Sequence, residues 1–193
     1  MIQIILIGPY GAGKSTLSEL IADKFNWKHC SLDSRQSMYL KEMPTYSTNL
    51  ANTMNTWSIT SPNWQRYNLY LIRKFIGEFG AKNADYVLDF GAGHSFFQEE
   101  SYLSRAKKIL KPFGQVILLR PSEDHEESLK LLLQQIRQNG FKGSNKSDSQ
   151  INKFNRLFLE HPSNRELAKL TIYTKKKTPN ETLNEICQEL NIV

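Results

Sequence analysis

Between Gly8 and Ser15 the chain reads Gly-Pro-Tyr-Gly-Ala-Gly-Lys-Ser, a match without error to the phosphate-binding pattern G-x-x-x-x-G-K-[ST]. No other stretch constrains the fold as strongly, because both flanks fit as well. Before the loop, Ile2 to Ile7 form a β-branched apolar run of the kind that makes a buried parallel strand. After it, Leu17, Leu20, Ile21 and Phe25 fall on one face of a helix. Strand, glycine loop and helix in that order are what phosphate binding requires. Glycines 8, 11 and 13 let backbone N–H groups curl inward, and the helix N-terminus adds its dipole.

The residues expected to hold the phosphates of a nucleotide are Gly8, Tyr10, Gly11, Ala12, Gly13, Lys14, Ser15 and Thr16. Lys14 is placed to reach the β- and γ-phosphates of ATP, and Ser15 to ligate Mg²⁺. Asp89 ends the apolar run Tyr86-Val87-Leu88, which makes it the strand-borne carboxylate expected beside that metal. An unpaired carboxylate there is costly, and a metal or its water shell satisfies it.

The rest of the chain alternates strand and helix signals. Lys28–Ser31, Tyr86–Phe90, Gln115–Leu119 and Leu170–Thr174 read as further strands. Ser61 and Pro62 open a helix carrying Trp64, Tyr67, Leu71, Phe75 and Phe79 at helical spacing. Another helix presents Leu129, Leu132, Leu133 and Ile136 and stops at Asn139-Gly140. Thr178-Pro179-Asn180-Glu181 is a capping box before a last amphipathic helix. The fold class expected is a three-layer α/β/α P-loop NTPase fold, with a five-stranded parallel sheet, in one domain spanning residues 1–193. Residues from about 34 to 62 form an unusually polar insert, expected to bind an acceptor. Residues from about 138 to 150, rich in Gly and Ser, read as a flexible lid.

Composition narrows the partners. The two cysteines, Cys30 and Cys187, show neither a disulfide framework nor metal-ligand spacing, which fits free thiols and a cytoplasmic setting. The opening apolar run is too short for a membrane span and lacks the flank of a signal peptide. The net charge of +6 suits an anionic small ligand. The cluster Lys175-Lys176-Lys177 has no interleaved aromatics, and no nucleic-acid-binding motif is present. Asn145-Lys146-Ser147-Asp148 has the letters of a guanine-reading motif but sits in a polar loop, away from any strand end.

The N-terminus, Ile-Leu-Ile-Gly-Pro-Tyr-Gly-Ala-Gly-Lys-Ser-Thr-Leu, resembles that of the shikimate kinases, and the likeness continues downstream. Asp33 follows the second strand, where that family places a substrate-binding aspartate. Arg66 stands roughly where it has a substrate-binding arginine. Gly91-Ala92-Gly93 is similar to its triple-glycine turn. The segment with Arg137 at its start and Arg156 beyond resembles its lid, and Thr174 to Pro179 the loop bordering adenine. The resemblance implies a kinase that transfers the γ-phosphate of MgATP to a small hydroxylated acceptor. Lys14, Asp33 and Arg137 would be catalytic, with Arg120 a competitor for the arginine's task. Thr178 and Pro179 would border the nucleotide. Asp33, Arg66, Gly91, Ala92, Gly93 and Arg156 would contact the acceptor, including an anionic group for Arg66. Ser15 and Asp89 would hold the metal. The sequence also departs from the family. Ser31 stands where a first acidic residue is usual, Ala92 replaces the middle glycine, and Asp89 and the long insert are additions. The donor machinery is therefore kept and the acceptor pocket changed. Two other readings fit the same loop. One is a nucleoside or nucleotide kinase with Trp57 or Trp64 stacked on a base. The other is a nucleotide-switched binding protein or slow ATPase with no acceptor.

Overall fold

The computed structural model describes residues 2–43, 59–79, 84–113, 115–139 and 147–192. Five strands form one parallel sheet: β1 (Gln3–Ile7), β2 (Lys28–Ser31), β3 (Tyr86–Asp89), β4 (Gln115–Arg120) and β5 (Leu170–Tyr173). Their order is β2-β3-β1-β4-β5, so β1 lies at the centre between β3 and β4. The chain leaves β1 toward one edge and later crosses back to the other. The crevice beyond the C-terminal end of β1 is thus the point where strand order reverses, which is where ligands of open α/β sheets bind.

Eight helices lie among the described residues: α1 (Lys14–Phe25), α2 (Leu32–Lys41), α3 (Pro62–Phe79), α4 (Glu100–Leu110), α5 (His125–Asn139), α6 (Asp148–Glu160), α7 (Ser163–Leu167) and α8 (Pro179–Leu190). The strand period of two divides the sheet's side chains between two cores. Ile5, Ile7, Leu88 and Leu118 pack on one face with Leu32 and Tyr39 of α2, Leu71 and Phe75 of α3, and Leu103 of α4. Ile4, Leu6, Val87 and Ile117 pack on the other with Leu17 and Ile21 of α1, Leu132 of α5 and Ile186 of α8. Helices therefore cover both faces, as the alternating sequence signals predict.

The caps read from the sequence are present. Ser61 Oγ accepts the Trp64 N–H at 3.2 Å, and Thr178 and Glu181 cap α8 reciprocally. Helices α2, α4, α6 and α7 stand outside the elements expected from sequence. For α6 the signal was there: Ser147 and Gln150 form a second capping box, followed by buried Ile151, Asn155, Phe158 and Leu159. The lid expected over residues about 138 to 150 is described only at its two ends. Residues 138 and 139 end α5, residues 148 to 150 begin α6, and residues 140–146 of the proposed lid lie outside the described residues. Of the insert expected from about 34 to 62, residues 34–41 belong to α2, and residues 44–58, with Trp57, lie outside the described residues.

Candidate active site

The phosphate loop connects β1 to α1. Gly8, Gly11 and Gly13 all have positive φ, at 143°, 80° and 84°. At Gly8 there is also no room for a side chain, since a Cβ would stand 2.3 Å from the carbonyl oxygen of Leu119 on β4. The loop wraps the Lys14 ammonium, which donates to the carbonyls of Gly8 at 3.0 Å and Pro9 at 2.9 Å. Burial pulls this ammonium below its usual range, and the Asp89 and Asp33 carboxylates pull it back. A cavity of about 600 Å³ opens from the loop between α5 and the turn after β5. Gln135, Ile136, Thr174, Lys177 and Pro179 line its far side. Pro179, expected to border the nucleotide, lines this cavity. The Thr178 hydroxyl is turned instead into the cap of α8. The lysine cluster is tied down here, with Lys175 paired to Glu127 and Lys177 to Glu185.

Asp89 ends β3 in register with Leu6 of β1 and Ser31 of β2. Its Oδ2 accepts the Ser15 hydroxyl at 2.6 Å. Burial raises its carboxyl above the ordinary range, and Lys14 and Ser15 lower it again. A buried carboxylate joined to the first hydroxyl of α1 is a hard oxygen pair of the kind Mg²⁺ takes, with its other positions left to phosphate and water. No cluster of three or more His, Cys, Asp or Glu suited to a metal occurs among the described residues, and this small donor set does not need one.

Asp33 lies in the first turn of α2, the N-cap position belonging to Ser31. Its carboxylate rests on the glycine turn: a Cβ on Gly91 would come within 2.1 Å of Asp33 Oδ1. The same oxygen lies 3.1 Å from His94 Nε2. His94 is buried and stacks on Trp64, with centroids 6.1 Å apart and rings 18° from parallel. Ala92 and Gly93 form the one-turn 3₁₀ segment with His94, and Ala92 packs against Ile59, Phe96 and Phe158. Tyr10, expected to hold phosphate, packs beside Phe158 in the cluster that includes Ala92 of the glycine turn. Asn155 takes its N–H at 2.8 Å and donates to its carbonyl at 3.1 Å, and its ring meets Phe158 edge-on. Burial, with the Asp33 carboxylate nearby, pushes the Tyr10 phenol up to about 12.

The arginines are placed differently from the sequence expectation. Arg66 is exposed, about half a helical turn from Trp64 and Asn68, the residues of α3 that reach the glycine turn. Arg156 lies on the surface of α6, held by Glu126 at 2.6 Å and Glu160 at 3.1 Å. Arg137 pairs with Asp148 at 2.6 Å, joining the end of α5 to the start of α6. Arg120 is buried, and its guanidinium caps the following turn through the carbonyls of Ser122 and Glu123. Asn68, Asn155 and Gln135 are site residues that sequence reasoning missed. Asn68 had a signal, since it lies four residues after Trp64 and three before Leu71, on the apolar face of α3.

No family model matches the chain. Along its length it is similar to a shikimate kinase of Enterococcus faecalis, with 28% identity over 194 residues, covering 98% of this chain and 99% of that one. The chain is shikimate kinase-like, with the fold of the small P-loop kinases. The solved shikimate kinase of Acinetobacter baumannii in complex with shikimate has a TM-score of 0.67 at 18% identity, covering 99% of this chain and 93% of that one. A gluconokinase of Sinorhizobium meliloti has a TM-score of 0.60 at 19% identity, covering 98% and 91%. No helix among the described residues is long and apolar enough to cross a membrane.

Proposed function

We propose that this chain is a kinase that transfers the γ-phosphate of MgATP to a hydroxyl of a small acceptor, bound between Asp33, the glycine turn and Trp64. The observation that carries the reading is the meeting of two carboxylates at one sheet edge. Asp89 is joined to Ser15 at the foot of the phosphate loop, and Asp33 stands across the turn, close enough for both to act on the Lys14 ammonium. One carboxylate serves the metal and the other the acceptor. Mg²⁺ held by Ser15 and Asp89 would neutralise charge on the β- and γ-phosphates. Lys14 holds the same phosphates from within the loop. Asp33 orients the acceptor hydroxyl and takes its proton as the oxygen attacks phosphorus.

The acceptor class that fits is uncharged and hydroxylated, a polyol or glycoside in place of the anionic molecule expected from Arg66. Among the described residues, Arg137 and Arg156 are each paired to carboxylates, Arg120 caps a turn, and Arg66 faces away. The sequence from Met43 to Gln65, which leads into Trp64, carries no charged side chain at all. The test is ATP turnover, with and without fractions of a metabolite pool separated by charge. A neutral fraction that accelerates turnover supports the reading. Acceleration by an acidic fraction alone overturns the acceptor class. Turnover indifferent to every fraction identifies a nucleotide switch or slow ATPase.

A further inference from the structure

The phosphate loop contains one peptide group whose orientation its own sequence does not fix. Pro9 to Ala12 form a β-turn, in which the Ala12 N–H donates to the Pro9 carbonyl at 3.4 Å. Tyr10 and Gly11 are its central residues, and of these Gly11 alone has a positive φ, 80°. That is a type II turn, which needs glycine at its third position. A type I turn differs by a half rotation of the central peptide, here the one joining Tyr10 to Gly11, and glycine accepts both forms. The two forms present opposite groups to a ligand. The peptide is trans, so its carbonyl and its N–H point in opposite directions. Whichever way the Tyr10 carbonyl points, the Gly11 N–H points the other.

Asn155 decides the direction. It is fully buried, a polar residue on the face of α6 that carries Ile151, Phe158 and Leu159. Its Nδ2 donates to the Tyr10 carbonyl at 3.1 Å, and its Oδ1 accepts the Tyr10 N–H at 2.8 Å. Which amide atom is which follows from the partners, since a backbone N–H only donates and a carbonyl only accepts. The Tyr10 carbonyl is thereby held toward α6. Gly11 lines the nucleotide cavity and no residue of α6 does. The Gly11 N–H donates to no protein group among the described residues. We infer that Asn155 is a positioning residue for the triphosphate, locking the Tyr10–Gly11 peptide with its carbonyl toward α6 and its N–H toward the phosphates. The inference rests on the nucleotide part of the kinase reading and on no acceptor.

The γ-phosphate is the group most affected. Lys14, which serves the β- and γ-phosphates, is held by the carbonyls of Gly8 and Pro9, so this limb of the loop lies at the γ end. The rest of the loop, from Gly11 on, lines the cavity for the remainder of the nucleotide. The Tyr10–Gly11 peptide stands where the two parts meet. Its N–H makes a charge-assisted hydrogen bond to a phosphate oxygen. Turned over, it would set a carbonyl oxygen against the same negative charge. Asn155 fixes the peptide before the nucleotide arrives, so binding energy is not spent on turning it. The support is firm. Helix α6 is capped by Ser147 and Gln150, tied to α5 by Arg137 and Asp148, and packed on Tyr10 through Phe158.

The experiment reads that peptide directly. Tyr10-Gly11 is the only Tyr-Gly pair in the chain. Labelling tyrosine carbonyl carbons with ¹³C and glycine nitrogens with ¹⁵N therefore leaves one carbonyl–amide correlation peak. Titrating the full chain with Mg²⁺ and the non-hydrolysable imido analogue of ATP is expected to shift this peak, and ADP to shift it less. In Asn155→Leu, which removes both hydrogen bonds to Tyr10, the response to the analogue is lost. By calorimetry, the analogue is expected to bind this variant about 10-fold more weakly, with the ADP affinity unchanged. A peak that stays in place while the analogue binds the wild type overturns the inference, and this readout survives if Asn155→Leu fails to fold. Equal weakening of the analogue and ADP overturns it as well, since Asn155 would then only support the fold. Acceptor-dependent turnover that is missing in the wild type ends the kinase reading alone, because no acceptor enters these measurements. A wild type that binds neither nucleotide ends both.

Discussion

The two halves of the site are built by different means. The donor half is made from consecutive residues. Gly8 to Ser15 supply the loop, the first helical turn and the lysine, and the long-range contact of Ser15 to Asp89 adds the carboxylate. The acceptor half is made from side chains that are far apart in sequence. Asp33 comes from α2, Trp64 and Asn68 from α3, and His94 from the glycine turn. The difference follows from what each half recognises. Phosphate is bound by backbone N–H groups, which any chain has, so only their curvature must be specified. An acceptor is bound by particular side chains, and the sheet must bring them together.

The largest effect should fall on the donor half. Lys14→Ala is expected to lower ATP-dependent turnover about 10³-fold, because no other ammonium lies within the loop. Normal turnover in this variant would remove the phosphate loop from the mechanism. Next, Asp33→Asn should reduce acceptor-dependent turnover about 100-fold, while the ATP dissociation constant measured by calorimetry stays the same. If ATP binding fell equally, the two halves would be one site and the comparison would break. Gly91→Ala tests the seam more gently. Its Cβ would enter the space of Asp33 Oδ1, so a loss of about 10-fold in acceptor turnover is expected, with a folded chain that still binds ATP.

Asp89 gives a smaller effect with a sign of its own. Burial raises its folded pKa above the unfolded value. Such a group stabilises the fold when protonated, at pH below the ordinary carboxylate range. That contribution is lost as pH rises through the raised pKa, so at neutral pH the carboxylate is a cost. Asp89→Asn should therefore raise the melting temperature at pH 7 by about 2 to 4 °C in chelator. The gain should shrink toward pH 3, while the Mg²⁺ concentration for half-maximal activity goes up. A lower melting temperature at pH 7 would make Asp89 a structural member of the sheet. Smallest of all, Arg66→Ala and Arg156→Ala should leave the acceptor KM unchanged. A large rise in either would mean that the acceptor half reaches a surface it does not touch here.

The legible part of the fold followed period and punctuation. Strand β1 with the loop and α1, the Ser61 cap of α3, and the Thr178 box of α8 are local arrangements, and local residues specify them. Helix α6 was equally announced, by Ser147 and Gln150, but the polar run before it hid the signal. Arg66 and Asn68 show how helix phase decides a role. Both are polar residues in the first turns of α3. The stripe of Trp64, Tyr67, Leu71 and Phe75 already places Asn68 on the inward side and Arg66 on the outward side.

The sequence by itself determined the donor site, the parallel sheet and the helices on both its faces, since each depends on contiguous residues or on a repeating period. Only the tertiary structure decided that Asp33 meets His94 across 61 positions of chain, that Asn68 sets the ring from behind, and that the arginines turn to other partners. No local rule carries that information. A side chain's role there depends on which distant group the packing leaves within about 3 Å of it, and packing is settled by the whole core at once.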